Sequence, residues 1–324
     1  MILLIIPIFV PLEGCKISCA FCDQRTISGS AAAPTVGEAR AIIENHLATM
    51  NGFAEQIAFF GGSFTGISKE KQNEYLALAE EYIKKGCVRS IRLSTRPDYI
   101  DSETVKRLLS YGVKNIELGA QSMDNRVLKA ANRGHSADDV VRASEIILNG
   151  GVTLGLQMMT GLPLDTDETD MLTALKFHKL GARETRIYPT IVILGTRLDE
   201  MRREGTYHAQ SLEQAVEICA RLHEYFTEKN IKILRIGLPD SEKLKRTMTG
   251  GPYHPAFGEL VISRVVRNDI LRQSEGGNEI IVRANPRFIS KINGNKKCNA
   301  DYFKAQGIAF RVISDSSVKT YEII

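Results

Sequence analysis

Six short apolar runs recur between residues 3 and 189: LLIIPIFV, QIAFF, SIRLS, NIELG, TLGLQMM and ETRIYP. Amphipathic stretches of helical period separate them, near 35–50, 69–85, 102–110, 137–149 and 167–179. Short apolar runs bounded by turn residues read as strands, and the longer 3.6-period stretches read as helices. An alternation of this kind demands a parallel sheet, because parallel neighbours are joined only through long, right-handed crossovers. An open doubly wound sheet and a partial barrel of six β/α units both satisfy it.

The less ordinary residues cluster at one place in each unit. The stretch CKISCAFC (15–22) follows the first run, GGSFTG (61–66) the second and STRPD (94–98) the third. LGAQS (118–122), with NRGH (132–135) shortly after, ends the fourth. QMMTGLP (157–163) ends the fifth and YPT (188–190) the sixth. All lie at the carboxyl ends of predicted strands, the rim where α/β sheets and barrels bind ligands. Turn chemistry accounts for the glycines and prolines, but poorly for Gln121, Arg133 and Gln157.

Cys15, Cys19 and Cys22 bring three thiols into one loop, while Cys87, Cys219 and Cys298 are isolated. This is no disulfide framework, so an intracellular, cytoplasmic address is expected. The apolar N-terminus is too short to span a bilayer and is broken by Pro7 and Pro11, which predicts a buried parallel strand and no membrane association. A structural zinc site needs a fourth ligand, and no second pair stands at a suitable distance. An iron–sulfur cluster on three thiolates keeps one iron open for a further ligand.

The spacing C-x-x-x-C-x-x-C, with Phe21 before the last cysteine, resembles the radical SAM superfamily. Residues 7 to about 270 resemble its branch containing oxygen-independent coproporphyrinogen oxidase and the catalytic subunit of Elongator. GGSFTG, STRPDYID, RIYPTIVILGTRLDEMRREGTY and GGPYHPAFGEL are the closest phrases. The resemblance implies a partial (β/α)6 TIM-like barrel and a [4Fe–4S] cluster on Cys15, Cys19 and Cys22. It implies S-adenosylmethionine held by Phe21, Gly61, Gly62, Ser63, Ser94, Gln121, Arg133 and Gln157. It also implies a one-electron reductant of the flavodoxin or ferredoxin type, and a 5′-deoxyadenosyl radical that abstracts hydrogen from a substrate. Two departures stand out. Relatives often carry a ribose-binding Glu where this chain has Ser94. Elongator's catalytic subunit spaces its first two cysteines more widely and carries an acetyltransferase domain, so acetyl-CoA chemistry is not expected here. Tyr188 and His254 are candidate catalytic residues beside the substrate, as proton-transfer groups in rim or turn-rich segments.

The net charge of +4 is localised. Residues 279–324 carry eight Lys and Arg against Glu279, Asp301, Asp315 and Glu322, an excess equal to that of the whole chain. The segment reads as strand 279–284, a helix from Asn285 (cap) and Pro286, a GNKK turn (294–297), a second short helix and a strand. This resembles the core of a KH domain, whose G-x-x-G loop clamps a nucleic-acid backbone, although Lys297 replaces the second glycine. Lys291, Lys296 and Lys297 are the candidate RNA contacts.

The expected organisation is a barrel over 1–200, a helical extension over 201–278 and a basic KH-like α/β module over 279–324. The expected substrate is RNA, plausibly tRNA. A small molecule or haem precursor, or a non-catalytic cluster or haem chaperone, are the alternatives. Nothing in the sequence fixes the oligomeric state.

Overall fold

The structure is a computed structural model. It describes residues 4–11, 14–15, 17–23, 32–274 and 278–324; Leu3 of the first apolar run lies outside the described residues. All six predicted strands form: β1 (Ile5–Val10), β2 (Ala54–Gly61), β3 (Val88–Thr95), β4 (Val113–Gln121), β5 (Thr153–Thr160) and β6 (Glu184–Pro189). Helices α1 (Val36–Thr49), α2 (Lys69–Lys84), α3 (Ser102–Ser110), α4 (Asn125–Ala130), α5 (Ala137–Asn149) and α6 (Asp167–Lys179) lie between them. Their starts are set by side-chain caps. The hydroxyls of Thr35, Ser68, Ser136 and Thr166 and the carboxylate of Asp101 each accept an N–H from the first turn.

The remainder holds β7 (Val192–Ile193), α7 (Arg197–Arg203), α8 (Leu212–Glu228), β8 (Lys232–Ile236), α9 (Glu242–Thr247), β9 (Met248–Gly250) and α10 (Phe257–Gln273). The predicted helical extension therefore contains a strand. Through β8, paired in parallel with β6, the sheet gains a seventh member in the order β1-β2-β3-β4-β5-β6-β8. Its run KILRI is short, carries Lys232 and Arg235, and lies at the sheet edge with no fully buried residue, unlike the other six strands.

The sheet curls into a half-barrel with its helices outside. Ile57, Phe59, Ile91, Leu93, Ile116, Leu118, Leu154 and Leu156 point outward and are buried beneath those helices in the main core. β1 departs from the expected two-sided burial. Ile6, Ile8 and Val10 are buried, while Phe9 stays 38% exposed. β1 pairs only with β2, and an edge position tolerates Pro7, which has no N–H to give.

The inward face is polar and layered. Ser94, Glu117, Gly155 and Glu184 are register partners across β3 to β6, and Gly119, Gln157, Arg186 and Arg235 form a second row across β4 to β8. Arg92 donates to Glu117 (2.9 Å), to both oxygens of Glu184 (2.7 and 3.1 Å) and to Gln56 (2.8 Å). Arg186 grips both oxygens of Glu117 (2.6 and 3.1 Å). Burial alone would raise the Glu117 carboxyl, but Arg186 and Arg92 hold it below the usual carboxylate range.

The C-terminal module is a separate three-stranded sheet, β11-β10-β12, from β10 (Glu279–Ala284), β11 (Ala309–Ser314) and β12 (Tyr321–Ile323). Helices α11 (Ile289–Asn293) and α12 (Cys298–Ala305) connect β10 to its parallel neighbour β11. The first helix starts later than predicted, at Ile289. Asn285 instead closes a turn: its side-chain oxygen accepts the N–H of Arg287, and its carbonyl accepts that of Phe288. The module packs on α10 through Val266 and Ile270. No helix of the described residues is long and apolar enough to cross a membrane.

Candidate active site

The predicted rim residues converge on one cavity of about 1010 Å³ inside the half-barrel. Cys15, Cys19, Cys22, Phe21, Gly61, Gly62, Ser63, Ser94, Gln121, Arg133, Gln157 and Tyr188 all line it. None of the six cysteines is disulfide-bonded.

Three other segments hold the cysteine loop. The N–H of Ala20 donates to the Ala131 carbonyl (2.9 Å), and Asn132 donates to the Ser18 carbonyl (2.7 Å). Leu198 donates its N–H to the Ala20 carbonyl (2.8 Å). NRGH thus docks the thiol loop as well as supplying Arg133. Gly134, with φ +67°, leaves room for Ile17: a Cβ there would lie 2.0 Å from the Ile17 Cδ1. A Cβ on Gly66 would lie 2.2 Å from the Gly14 carbonyl oxygen, so the GGSFTG turn is in backbone contact with the cysteine loop. Gly66→Ala is expected to displace that loop without removing a ligand. The protein should stay folded by circular dichroism but retain well under half the iron of the wild type after desalting.

Arg133 joins the thiols to the rim of β4. Its Nη1 donates to the Cys19 sulfur (3.0 Å), its Nη2 to the Gly119 carbonyl (2.6 Å), and its guanidinium lies 5.9 Å from the Phe21 ring centre. Its Nε is buried without a partner, as are the Gln121 Oε1 and the Arg96 Nη1. Gln121 takes a left-handed backbone, φ +68°, at the end of β4, a conformation sparsely used by residues with side chains. Arg96, which sequence reasoning did not single out, lines the cavity and grips Asp98 with two hydrogen bonds. The Ser63 hydroxyl ties two rim turns together, 2.9 Å from the Thr95 hydroxyl and accepting the Arg96 N–H. Gln157 donates to Glu117 (2.8 Å), so its amide is anchored to the buried ion network.

Burial and the neighbouring Cys19 and Cys15 push the Cys22 thiol up to about 12. Holding Cys22 as a thiolate therefore requires positive charge beside it, which iron would supply. Among the described residues no three His, Cys, Asp or Glu side chains gather closely enough for a single metal ion. A multi-iron cluster spreads its thiolates over separate irons, so three cysteines from one loop suit it better than a mononuclear site. Unpaired guanidinium donors fit a carboxylate, and the unpaired amide oxygen fits an ammonium group. S-adenosylmethionine carries both.

His135 borders the site. Its Nε2–H donates to the Ala120 carbonyl (3.2 Å), and its Nδ1 is buried without a partner. Burial, then Arg133 and Arg96, bring its imidazole down to about 3. The unfolded chain takes up that proton near pH 6.5, so stability is lost as pH falls from about 6.5 toward 3, by about 1.4 kcal/mol per unit. Urea unfolding at pH 5 and 7 should show this slope, and His135→Asn should flatten it.

His254 is not among the cavity-lining residues. Its Nδ1 accepts the N–H of Ala256 (3.1 Å), where it organises the turn into α10. Lys296 and Lys297 are exposed at the module's turn, both with positive φ (50° and 66°). Lys297 thus occupies the backbone conformation in which glycine is comfortable. Lys291 is exposed and lies over the Phe288 ring at 4.9 Å.

Comparisons with known proteins agree with this fold. The profile of the radical SAM superfamily matches residues 9–175, and that of the radical SAM C-terminal domain matches residues 183–267. The chain belongs to the radical SAM superfamily, whose enzymes use a [4Fe–4S] cluster and S-adenosylmethionine. The tRNA uridine(34) acetyltransferase of Methanocaldococcus infernus is 31% identical over 160 residues, which is 47% of this chain and 29% of that protein. Elongator complex protein 3 of Schizosaccharomyces pombe is 30% identical over 169 residues, 51% of this chain and 31% of its own length. The matched region is thus less than a third of either relative. The structure of the archaeal M. infernus Elp3 lacking its N-terminus superposes with a TM-score of 0.67 at 21% identity, over 82% of this chain and 63% of that one. Coproporphyrinogen III oxidase from Escherichia coli gives 0.50 at 16% identity, over 69% and 52%. At these identities the superpositions speak for the fold alone.

Proposed function

We propose that this chain is a radical SAM enzyme whose cluster sits on Cys15, Cys19 and Cys22 and whose substrate is RNA, tRNA first among candidates. One observation carries the reading of the site. The three thiols line a single cavity together with Arg133, Gln121 and Arg96, each of which keeps one buried polar atom without a partner. When bound, the reduced cluster and S-adenosylmethionine supply one-electron chemistry that abstracts hydrogen from a substrate.

The chain's own residues bind and orient. Arg133 stabilises the Cys19 thiolate by hydrogen bonding and offers its Nε to the methionine carboxylate. Gln121 accepts from the methionine ammonium. Buried Phe21 closes the thiol loop against water. Tyr188, whose phenol burial holds above its ordinary range, stays protonated on the substrate side. A flavodoxin- or ferredoxin-type donor supplies the electron.

Two features support RNA. The relatives named above include a tRNA uridine(34) acetyltransferase, and the module presents Lys291, Lys296 and Lys297 to solvent. If both lysines of the turn touch phosphate, Lys296→Ala with Lys297→Ala reduces the slope of log affinity against log salt by about 1.4 for single-stranded RNA. Mass spectrometry of tRNA nucleosides from a deletion strain tests the substrate: one modified nucleoside should vanish or accumulate as its precursor. An unchanged profile, with tRNA binding equal in the lysine variant, would move the reading to a small molecule.

A further inference from the structure

The side of the cavity away from the cysteines holds an exposed arginine that no carboxylate of the described residues pairs. Arg186 and Arg235 are direct register partners on β6 and β8. Like charges placed opposite each other on neighbouring strands are destabilising. Arg186 is neutralised by both oxygens of Glu117. Among the described residues Arg235 has no carboxylate partner; its Nε donates to the Gly237 carbonyl (3.0 Å), which leaves both Nη groups for another acceptor. Asp23 is the only carboxylate among the described cavity-lining residues, and it lies beside the cysteine loop. Arg235 is three strands from β4, which carries Gln121, or about 14 Å along the sheet at usual strand spacing.

An aromatic wall faces these cations. Phe9 and Phe60 stand with ring centres 6.4 Å apart, and the Arg186 guanidinium lies 4.9 Å from the Phe60 ring centre across the half-barrel. Phe9 remains 38% exposed, although a phenylalanine in a strand is ordinarily covered. Tyr188 lines the same cavity as Arg186 and Arg235, and its phenol is close enough to feel the charge of both.

We infer that Arg235, with Tyr188 and the Phe9–Phe60 wall, forms a substrate subsite for a planar ring that carries an anionic group, a phosphate or a carboxylate. Arg235 takes the anion through its two Nη groups, and the aromatic wall takes the ring. The inference rests on the proposed function only in that the same cavity also receives S-adenosylmethionine. It assigns a role to the strand that the sequence did not show.

The test uses the full chain, reconstituted anaerobically with its cluster and saturated with S-adenosylmethionine. Calorimetric titrations use uridine 5′-monophosphate, uridine and 3-phenylpropionate as probes. The monophosphate should bind at least about ten-fold tighter than uridine, and Arg235→Gln should remove most of that difference. Arg235→Lys should keep part of it, since a point charge replaces a bidentate fork. Phe9→Leu should weaken uridine and its monophosphate alike. Because Arg235 faces a like charge, Arg235→Gln should melt at the wild-type temperature or above. Arg235-dependent binding of phenylpropionate alone would keep the subsite and assign it to a carboxylate. Equal binding by wild type and Arg235→Gln of both anions, or a clear loss of melting temperature in Arg235→Gln, would overturn it. Failure of S-adenosylmethionine to bind the wild type, measured separately by equilibrium dialysis, would strike the proposed function and leave the anion titrations to be read on their own.

Discussion

Cys19→Ala is expected to reduce the iron bound after anaerobic reconstitution from about four per chain to well below one. Of the three thiols, Cys19 is the buried one, and it accepts a hydrogen bond from Arg133. Its neighbour Ala20 is fixed through both its N–H and its carbonyl. Loss of this sulfur leaves two ligands for a cluster that needs three. It also leaves one Arg133 N–H facing a methyl group. Iron and acid-labile sulfide analysis, with the charge-transfer absorbance of the cluster, reads the effect directly. Cys87→Ser and Cys298→Ser should bind as much iron as the wild type, and Cys219→Ala, on the buried face of α8, should lose stability but no iron.

Arg92→Met is expected to destabilise the fold by about 3–5 kcal/mol. Arg92 is 1% exposed and bridges two carboxylates. Its removal leaves Glu117 with Arg186 and Gln157, but among the described residues leaves Glu184 with only Asn115 as a side-chain hydrogen-bond donor. Breaking one member of a buried charge network costs more than the network contributes, because the remaining charge stays desolvated. Adding Glu184→Gln to Arg92→Met should recover part of the loss. In the wild type, the contribution of Glu117 is complete above about pH 4.3, its unfolded value, and is lost as pH falls through its lower folded value. Thermal melts of the single and double variants at pH 7, and of the wild type from pH 7 to 3, measure both effects.

The six-unit alternation was legible because each of its strands buries an apolar outer face under a helix, and burial writes itself into sequence as apolar density. β8 escaped the same reading because KILRI is only five residues long, carries Lys232 and Arg235, and sits at the sheet edge with no fully buried residue. The rim residues were legible through spacing: three cysteines in eight residues, glycines after a strand, and Arg133 in a turn. Most of them meet in the cavity. His254 does not, because proton-transfer chemistry in a turn-rich phrase cannot distinguish a rim residue from one that organises a helix start. The buried network of Arg92, Glu117, Glu184 and Arg186 was present in the sequence as charges inside SIRLS, NIELG and ETRIYP. Its pairing depends on strand register across four strands, which no local pattern specifies. Arg96 and Arg235 were hidden for a related reason: a lone arginine is usually a surface residue, and only the closed fold shows which ones face a cavity.

The most direct measurement is anaerobic chromatography of the reconstituted protein with S-adenosylmethionine and a strong one-electron reductant, with and without tRNA. The wild type should form 5′-deoxyadenosine, and Cys19→Ala should form none. Arg133→Ala should need more S-adenosylmethionine for the same rate, by the roughly 1.5–3 kcal/mol of a charged hydrogen bond. A wild-type protein that carries its full cluster, binds S-adenosylmethionine and yields no 5′-deoxyadenosine under any of these conditions would contradict a radical reaction at this cavity.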